Sequence, residues 1–341
     1  MTHRIVSLLT CMILCITATT PAWAKDGFAA SKEKNFKPAL IYVLGDKDSD
    51  RAFVDAARAG AERAEDELGV TFTQYRMHAG EDVTARIKTA ADSGANPIIA
   101  VGFQNVMPVL SLAERYPNTH FTVIDGLVPP LFPNVQSVIF KDHEGAFLVG
   151  IIAAITSKTK HIGFIGGMDV PIIRNFALGF AQGVRHADPQ AKVDIEMIGN
   201  TTKAWSDPGK AREIALTQYA SGIDVIFAAA GGSGVGALEA AKETDNFAIG
   251  VDINQNALFP GNVLTSLIKR VDIAVYDALK TSKDGKWSPG IKYLGLKEGA
   301  LDYAVDEYNR HLMNEEMIDK VATAKERIIN GLITVQMYSP K

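Results

Sequence analysis

From Lys37 onward the chain alternates two kinds of segment. Short runs are apolar at nearly every position: ALIYVL (39–44), PIIAVG (97–102) and FTVID (121–125). Between them lie longer amphipathic stretches, one from Ala52 to Leu68 and another ending at Tyr116. Runs that are apolar on both faces, separated by crossover helices, are what a parallel sheet covered on both sides requires. The pattern predicts an α/β, doubly wound fold.

A second series begins after a proline-rich stretch from Val128 to Pro133. It reads SVIF (137–140), a helix from Glu144 to Thr156, HIGFIGG (161–167), a helix from Ile172 to His186, VDIEMIG (193–199) and a helix from Pro208 to Ala220. DVIFAAAGG (224–232), a helix from Gly236 to Thr244 and FAIGVD (247–252) continue it. VLTSLIK (263–269) and a helix from Val271 to Lys280 supply a return crossing. Two such series predict two Rossmann-like lobes. No repeat of fixed period and no low-complexity tract is present.

The first 24 residues have a different character. His3 and Arg4 form a basic start, Ile5 to Thr20 is apolar or small, and Ala22-Trp23-Ala24 matches an A-x-A cleavage site. Export with cleavage after Ala24 is expected, and the apolar run falls short of the roughly 20 residues that span a bilayer. Cys11 and Cys15, the chain's 2 cysteines, both lie in that segment, and neither follows the small residue a lipid-anchoring site requires. The mature chain therefore has no disulfide or thiolate metal site and holds together by burial, which its length allows for two domains. A net charge of −4 with no basic block argues against nucleic acid and anionic membrane as partners. The expected state is a periplasmic monomer.

Polar residues concentrate at the predicted strand ends: Asp46, Gly102, Asp125, Gly166, Gly231 and Asp252. Ligands of open α/β sheets bind in the crevice beyond those carboxyl ends. Each of these residues, taken alone, is equally an ordinary turn or N-cap residue.

The segments IIAVGFQN (98–105), FKDHEGAFLVG (140–150), IGFIGGMDVPIIRNFALGF (162–180), AAGGSGVGALEAAKE (229–243) and VLTSLIKRVDIAVYDAL (263–279) closely resemble the basic membrane protein family of substrate-binding proteins, which includes the purine nucleoside receptors. The resemblance runs from about Lys37 to about Val335, and GGMDVP followed by R-x-F is its most specific part. It implies a type I periplasmic-binding-protein architecture, two α/β lobes joined by a three-segment hinge, with a ligand enclosed between them. Setting the crossings by the strand pattern gives an N-terminal lobe of 37–127 plus 270–290 and a C-terminal lobe of 128–269 plus 291–341. The implied partners are a nucleoside-like small molecule, most simply a purine nucleoside, and the permease of an ABC importer in the inner membrane. The implied role is binding, not catalysis, without cofactor or metal.

The resemblance also assigns the site. The family's S-F-N motif after the first strand falls on Ala52, Phe53 and Val54, so its stacking ring is kept and its polar flanks are lost. A second ring, ahead of an Asp-Pro pair, falls on Trp205, ahead of Asp207 and Pro208, and the two rings would face each other across the cleft. Asp125 and Asp252 match carboxylates that accept from ligand N–H or hydroxyl groups. Lys269 matches a lysine facing the same ligand and is expected to pair with Asp252 or Asp125, since burial of a lone ammonium is costly; a purely structural ion pair at the hinge would explain it as well. Gly231 and Gly232 would bring main chain close to the ligand, and Asp46 and Met168 complete the candidates. With Val54 in place of an asparagine, a different flat, hydroxyl-bearing ligand remains an alternative to a purine.

Two enzyme readings compete. Gly232 to Ala237 fit G-x-G-x-x-A between a strand and a helix, with Asp252 at the next strand end, the pattern of a NAD-binding turn. That motif sits deep in the chain rather than at the first βα turn, in a protein expected to be exported. The acidic loop of Asp46, Asp48 and Asp50 is reminiscent of a nucleoside hydrolase cluster, but no histidine constellation accompanies it, and a solvated acidic turn accounts for it.

Overall fold

The computed structural model describes residues 36–44, 51–78 and 80–339. The expected signal segment and Asp46 lie outside the described residues. The first elements are β1 (Ala39–Leu44), α1 (Arg51–Leu68), β2 (Thr73–His78), α2 (Val83–Asp92), β3 (Ile98–Val101), α3 (Val106–Leu112), β4 (Phe121–Ile124) and β5 (Val135–Phe140). There follow α4 (Asp142–Thr156), β6 (His161–Met168), α5 (Pro171–Ala187), β7 (Lys192–Gly199), α6 (Pro208–Ala220), β8 (Val225–Ala229), α7 (Gly234–Glu243), β9 (Phe247–Asp252) and β10 (Val263–Lys269). The chain closes with α8 (Val271–Lys283), β11 (Gly290–Leu294), β12 (Leu301–Tyr303) and α9 (Glu315–Ile329).

These strands form two six-stranded sheets, β11-β5-β4-β3-β1-β2 and β12-β10-β9-β8-β6-β7. Every pairing in the first is parallel. The second is parallel except for β12, which runs against β10. The uniformly apolar strands are apolar because both their faces are buried. In β1, Leu40 and Tyr42 join one core with Ala57, Ala61 and the α8 residues Ala274 and Val275, while Ala39 and Ile41 join another with Ile87 of α2 and Val109 of α3. The second sheet is likewise covered, by α4 and α5 on one side and by α6 and α7 on the other.

The chain passes between sheets three times: from β5 into α4, from β10 into α8, and from β11 to β12. The crossings are laced together. Lys141 N–H donates to the Leu294 carbonyl at 2.8 Å, Arg270 N–H donates to Ala300 at 2.9 Å, and Leu296 N–H donates to the Glu144 carboxylate at 3.0 Å.

The boundaries read from the pattern need correction. The strand at 137–140, assigned to the C-terminal lobe, is β5 and pairs with β4 in the first sheet. The proline-rich stretch before it is not a passage between lobes but a helix-free connection between parallel neighbours. It is pinned by Val128 N–H to Ser137 Oγ at 2.9 Å and by the Asn134 amide to the carbonyls of Ala113, Tyr116 and Thr119. Residues 291–294, also assigned to the C-terminal lobe, belong to β11 in the first sheet.

Candidate functional site

Parallel strands that all end on the same side leave a crevice at their carboxyl ends. Here the ends of both sheets enclose a cavity of about 280 Å³. Its walls come from β1, α1 and the turns after β3 and β4 on one side, and from α5 and the turns after β7, β8 and β9 on the other. Of the candidates read from the sequence, the fold brings Phe53, Asp125, Trp205, Gly231, Asp252 and Lys269 to this cavity. Met168, the last residue of β6, and Gly232, buried in the turn after β8, are not among its lining residues.

The floor is charged. Lys269 closes β10 with a side chain only 2% exposed, and its Nζ lies 2.8 Å from Asp125 Oδ2. It also lies 3.1 Å from Oδ1 of Asp142, a residue the sequence reading did not single out. Burial by itself would lower the lysine's pKa, but Asp125, Asp142 and Asp252 together raise it above its ordinary value, so the ammonium is kept. The rings of Phe140, Phe176 and Phe53 surround Nζ with centroids at 4.9, 5.3 and 5.7 Å. Oδ1 of Asp125 is buried, and no hydrogen-bond partner for it exists among the described residues. An acceptor left this way costs on the order of 1–3 kcal/mol. A donor arriving in the cavity would recover that cost.

Both expected rings, Phe53 and Trp205, line the cavity, and a third joins them. The ring contact of Trp205 is with Phe103, at 6.2 Å and 59° between planes, whereas Phe53 lies toward the lysine. Phe103 follows Gly102 at the end of β3 and is placed by a short 3₁₀ turn, Phe103–Asn105. Asn105 anchors that turn by donating from its buried amide to the carbonyls of Val101 and Gly102. Trp205 is held by two features. A side chain at Gly167 would run into the indole ring, so glycine there lets the ring lie on the end of β6. The Ser233 hydroxyl donates to Ala204 at 2.8 Å and accepts from Asp207 N–H at 2.7 Å, tying the tryptophan turn to the start of α7.

This wiring also accounts for the glycine motif that resembles a dinucleotide turn. Ser233 is engaged with the tryptophan turn. Gly236 lies against the backbone of Pro208 so closely that a side chain would enter the Pro208 carbonyl, which makes it a helix-packing glycine between α6 and α7. Two of the residues missed by the sequence reading had partial signals. Phe103 directly follows a strand-end glycine already singled out, and Phe176 is the ring of the R-x-F motif. Asp142 carries none apart from its neighbours.

A family described as ABC transporter substrate-binding protein, PnrA-like, matches residues 40–338. The chain is 33% identical to a CD4+ T-cell-stimulating antigen of Listeria monocytogenes, with 91% of each chain covered. It is 31% identical to the ABC transporter nucleoside-binding protein BmpA of Lactococcus lactis subsp. cremoris, over 98% of this chain and 99% of that one. Among solved structures, a solute-binding protein of an ABC transporter system from Aeropyrum pernix superposes with a TM-score of 0.77 at 27% identity, covering 89% of this chain and 94% of that one.

Proposed function

On the premise that the chain belongs to the PnrA-like family of ABC-transporter substrate-binding proteins, which bind and do not catalyse, we propose that it captures a nucleoside between its lobes and presents it to an ABC permease. The observation that carries this reading is the pairing of Asp125 and Lys269 on the cavity floor. It offers one buried acceptor without a partner beside one buried ammonium, under aromatic walls.

That combination suits a flat heterocycle bearing hydroxyls. Phe53, Phe103 and Trp205 supply ring faces, each stacking contact adding about 0.5–1.5 kcal/mol beyond burial. Asp125 Oδ1 and Asp252 accept from N–H or O–H, and Lys269 donates. The Val54 side chain is buried in the hydrophobic core and lines the same cavity, so the polar edge of a base has no partner at that position. Recognition of that edge then falls to Gln104, His78 or Glu81, which line the first-lobe side. Ligand contacts from both lobes favour closure, and the closed form is what the permease reads. The relatives' lipoprotein and transport character, with the expected signal segment, supports an extracytoplasmic site of action. Among the described residues no helix is long and apolar enough to cross a membrane.

A thermal-shift screen tests the reading, because a ligand that binds only the folded form raises Tm. The expected result is a rise with inosine, guanosine, adenosine or a pyrimidine nucleoside, and none with free sugars. Silence for every nucleoside would overturn it, and a rise with NAD alone would favour the dinucleotide reading.

A further inference from the structure

Asp142 has a place in the molecule that neither packing nor ligand contact explains. It is the first residue of α4, its side chain is 1% exposed, and it does not line the cavity. Its carboxylate meets Lys269 Nζ from behind, at 3.1 Å through Oδ1 and 3.3 Å through Oδ2, while Asp125 meets it at 2.8 Å from the first sheet. Asp142 stands on the first crossing between the lobes and Lys269 on the second.

Charge counting shows why this arrangement is not merely structural. Within electrostatic reach of the lysine lie two buried carboxylates, Asp125 and Asp142, and the half-buried Asp252, against one ammonium. A buried ion pair is weak support for a fold even when balanced, and an excess of buried carboxylates works against it. Burial pushes the Asp142 carboxyl up and Asp125 and Asp252 reinforce this, while the ammonium of Lys269, at 3.1 Å, opposes it and is the contact that holds Asp142 as a carboxylate. Asp142 thus burdens the fold without touching the cavity. What it does reach is the lysine. An ammonium carries three N–H donors in fixed directions. Asp125 takes one and Asp142 another, which fixes where the third points.

We infer that Asp142 is a positioning residue for the cleft: from the first crossing it holds the ammonium of Lys269 forward, so that the remaining N–H is directed to the bound ligand. This rests on the cleft being the ligand site.

The test compares the wild-type protein with Asp142→Asn and Asp142→Glu. Inosine affinity is measured by calorimetry from pH 6 to pH 10, Tm is measured alongside, and the ligand-free Lys269 Cε resonance is followed in carbon-13 lysine-labelled protein, assigned by its loss in Lys269→Met. Removing one carboxylate lowers the lysine's pKa, so its proton, present at low pH, leaves earlier as pH rises. The expected result for Asp142→Asn is a Tm at pH 8 equal to or above wild type and at least tenfold weaker inosine binding. Its affinity should decline further toward alkaline pH over a range where the wild type is flat, and Lys269 should begin to titrate at lower pH. Asp142→Glu restores the flat profile. Binding within twofold of wild type with an unchanged alkaline profile would overturn the inference, as would an affinity loss that only tracks a fall in Tm. If the wild type binds no nucleoside, that reading fails separately. The Lys269 titration then decides the role of Asp142: an earlier titration in Asp142→Asn supports it, and an unchanged one overturns it.

Discussion

Strand for strand, the two lobes are built on one plan. β4 and β9 hold the same place in their sheets, and each ends in an aspartate with a left-handed backbone, Asp125 at φ 61° and Asp252 at φ 70°. Such a conformation costs a non-glycine residue about 1 kcal/mol or more, and here it recurs at matching strand ends that both line the cavity. The surroundings then diverge. Asp125 is buried against Lys269, whereas Asp252 is half-buried at the cavity wall. The turns after β3 and β8 differ in the same way: both are short 3₁₀ segments, but one reads Phe-Gln-Asn and the other Gly-Gly-Ser. The first pushes a ring into the cleft and the second leaves room for it. The outermost strands part company as well. β11 follows a helix and runs parallel, whereas β12 starts at the crossing itself and must run back against β10. A duplicated backbone therefore gives two equivalent cleft-facing rims, and side chains specialise them: a buried carboxylate, Asp125, and the Phe103 ring on the first lobe, a buried lysine and a fixed indole on the second.

That division of labour can be broken at several points. The largest effect is expected at the charged floor. Lys269→Met leaves buried carboxylates unpaired, so stability should fall by about 3–5 kcal/mol and nucleoside binding should vanish, as read by denaturant unfolding and calorimetry. Preserved binding would remove the floor from the site. Next come the rings: Trp205→Ala and Phe103→Ala should each weaken binding by about 1–3 kcal/mol from lost stacking and burial, with a cooperative unfolding transition retained. Loss of the folded state in either variant would make that ring a core residue. Gly167→Ala sharpens the same point without touching the first lobe. It should displace the indole and weaken binding by about 1 kcal/mol or more, visible as a change in tryptophan fluorescence. The smallest effect concerns pH. His120, beside the first sheet, and His143, in α4 of the second lobe, both have pKa values lowered by burial, the latter partly offset by Glu144. Neutral forms are then favoured in the fold, so their stabilising contribution is complete above the ordinary histidine range near 6.5 and is lost as pH falls through the lowered values. Tm measured downward from pH 7.5 should show a decline that His120→Gln and His143→Gln each reduce.

How much of this was legible beforehand depended on burial. Strands with both faces covered, such as β3 and β8, are apolar at every position and were read directly from the chain. β2 was not: as an edge strand with only Met77 buried, TQYRMH carries no apolar run to find. α9 has a readable stripe, Met317, Val321, Ala324 and Ile328, but its seat against α4 depends on the finished lobe. Within the site, the strand-end aspartates and Lys269 were marked by polarity in apolar surroundings. Phe103 was marked only by the strand-end glycine before it, and Asp142 was not marked, because an acid at a helix start has an ordinary explanation until its neighbours are known.

The sequence by itself determined the layered α/β architecture, the strand ends as the place for chemistry and the kinship with binding proteins, because periodicity and local motifs are written along one dimension. It contains no fixed repeat, yet the fold is duplicated, since many different side chains satisfy the same pattern of buried and exposed positions. Only the tertiary structure decided that β5 and β11 belong to the first lobe, that Trp205 meets Phe103, and that Asp125 and Asp142 share one lysine. Those contacts join residues more than a hundred positions apart, or lie where neighbouring strands leave one lobe for the other, and which partners meet there is fixed by how the crossings pack.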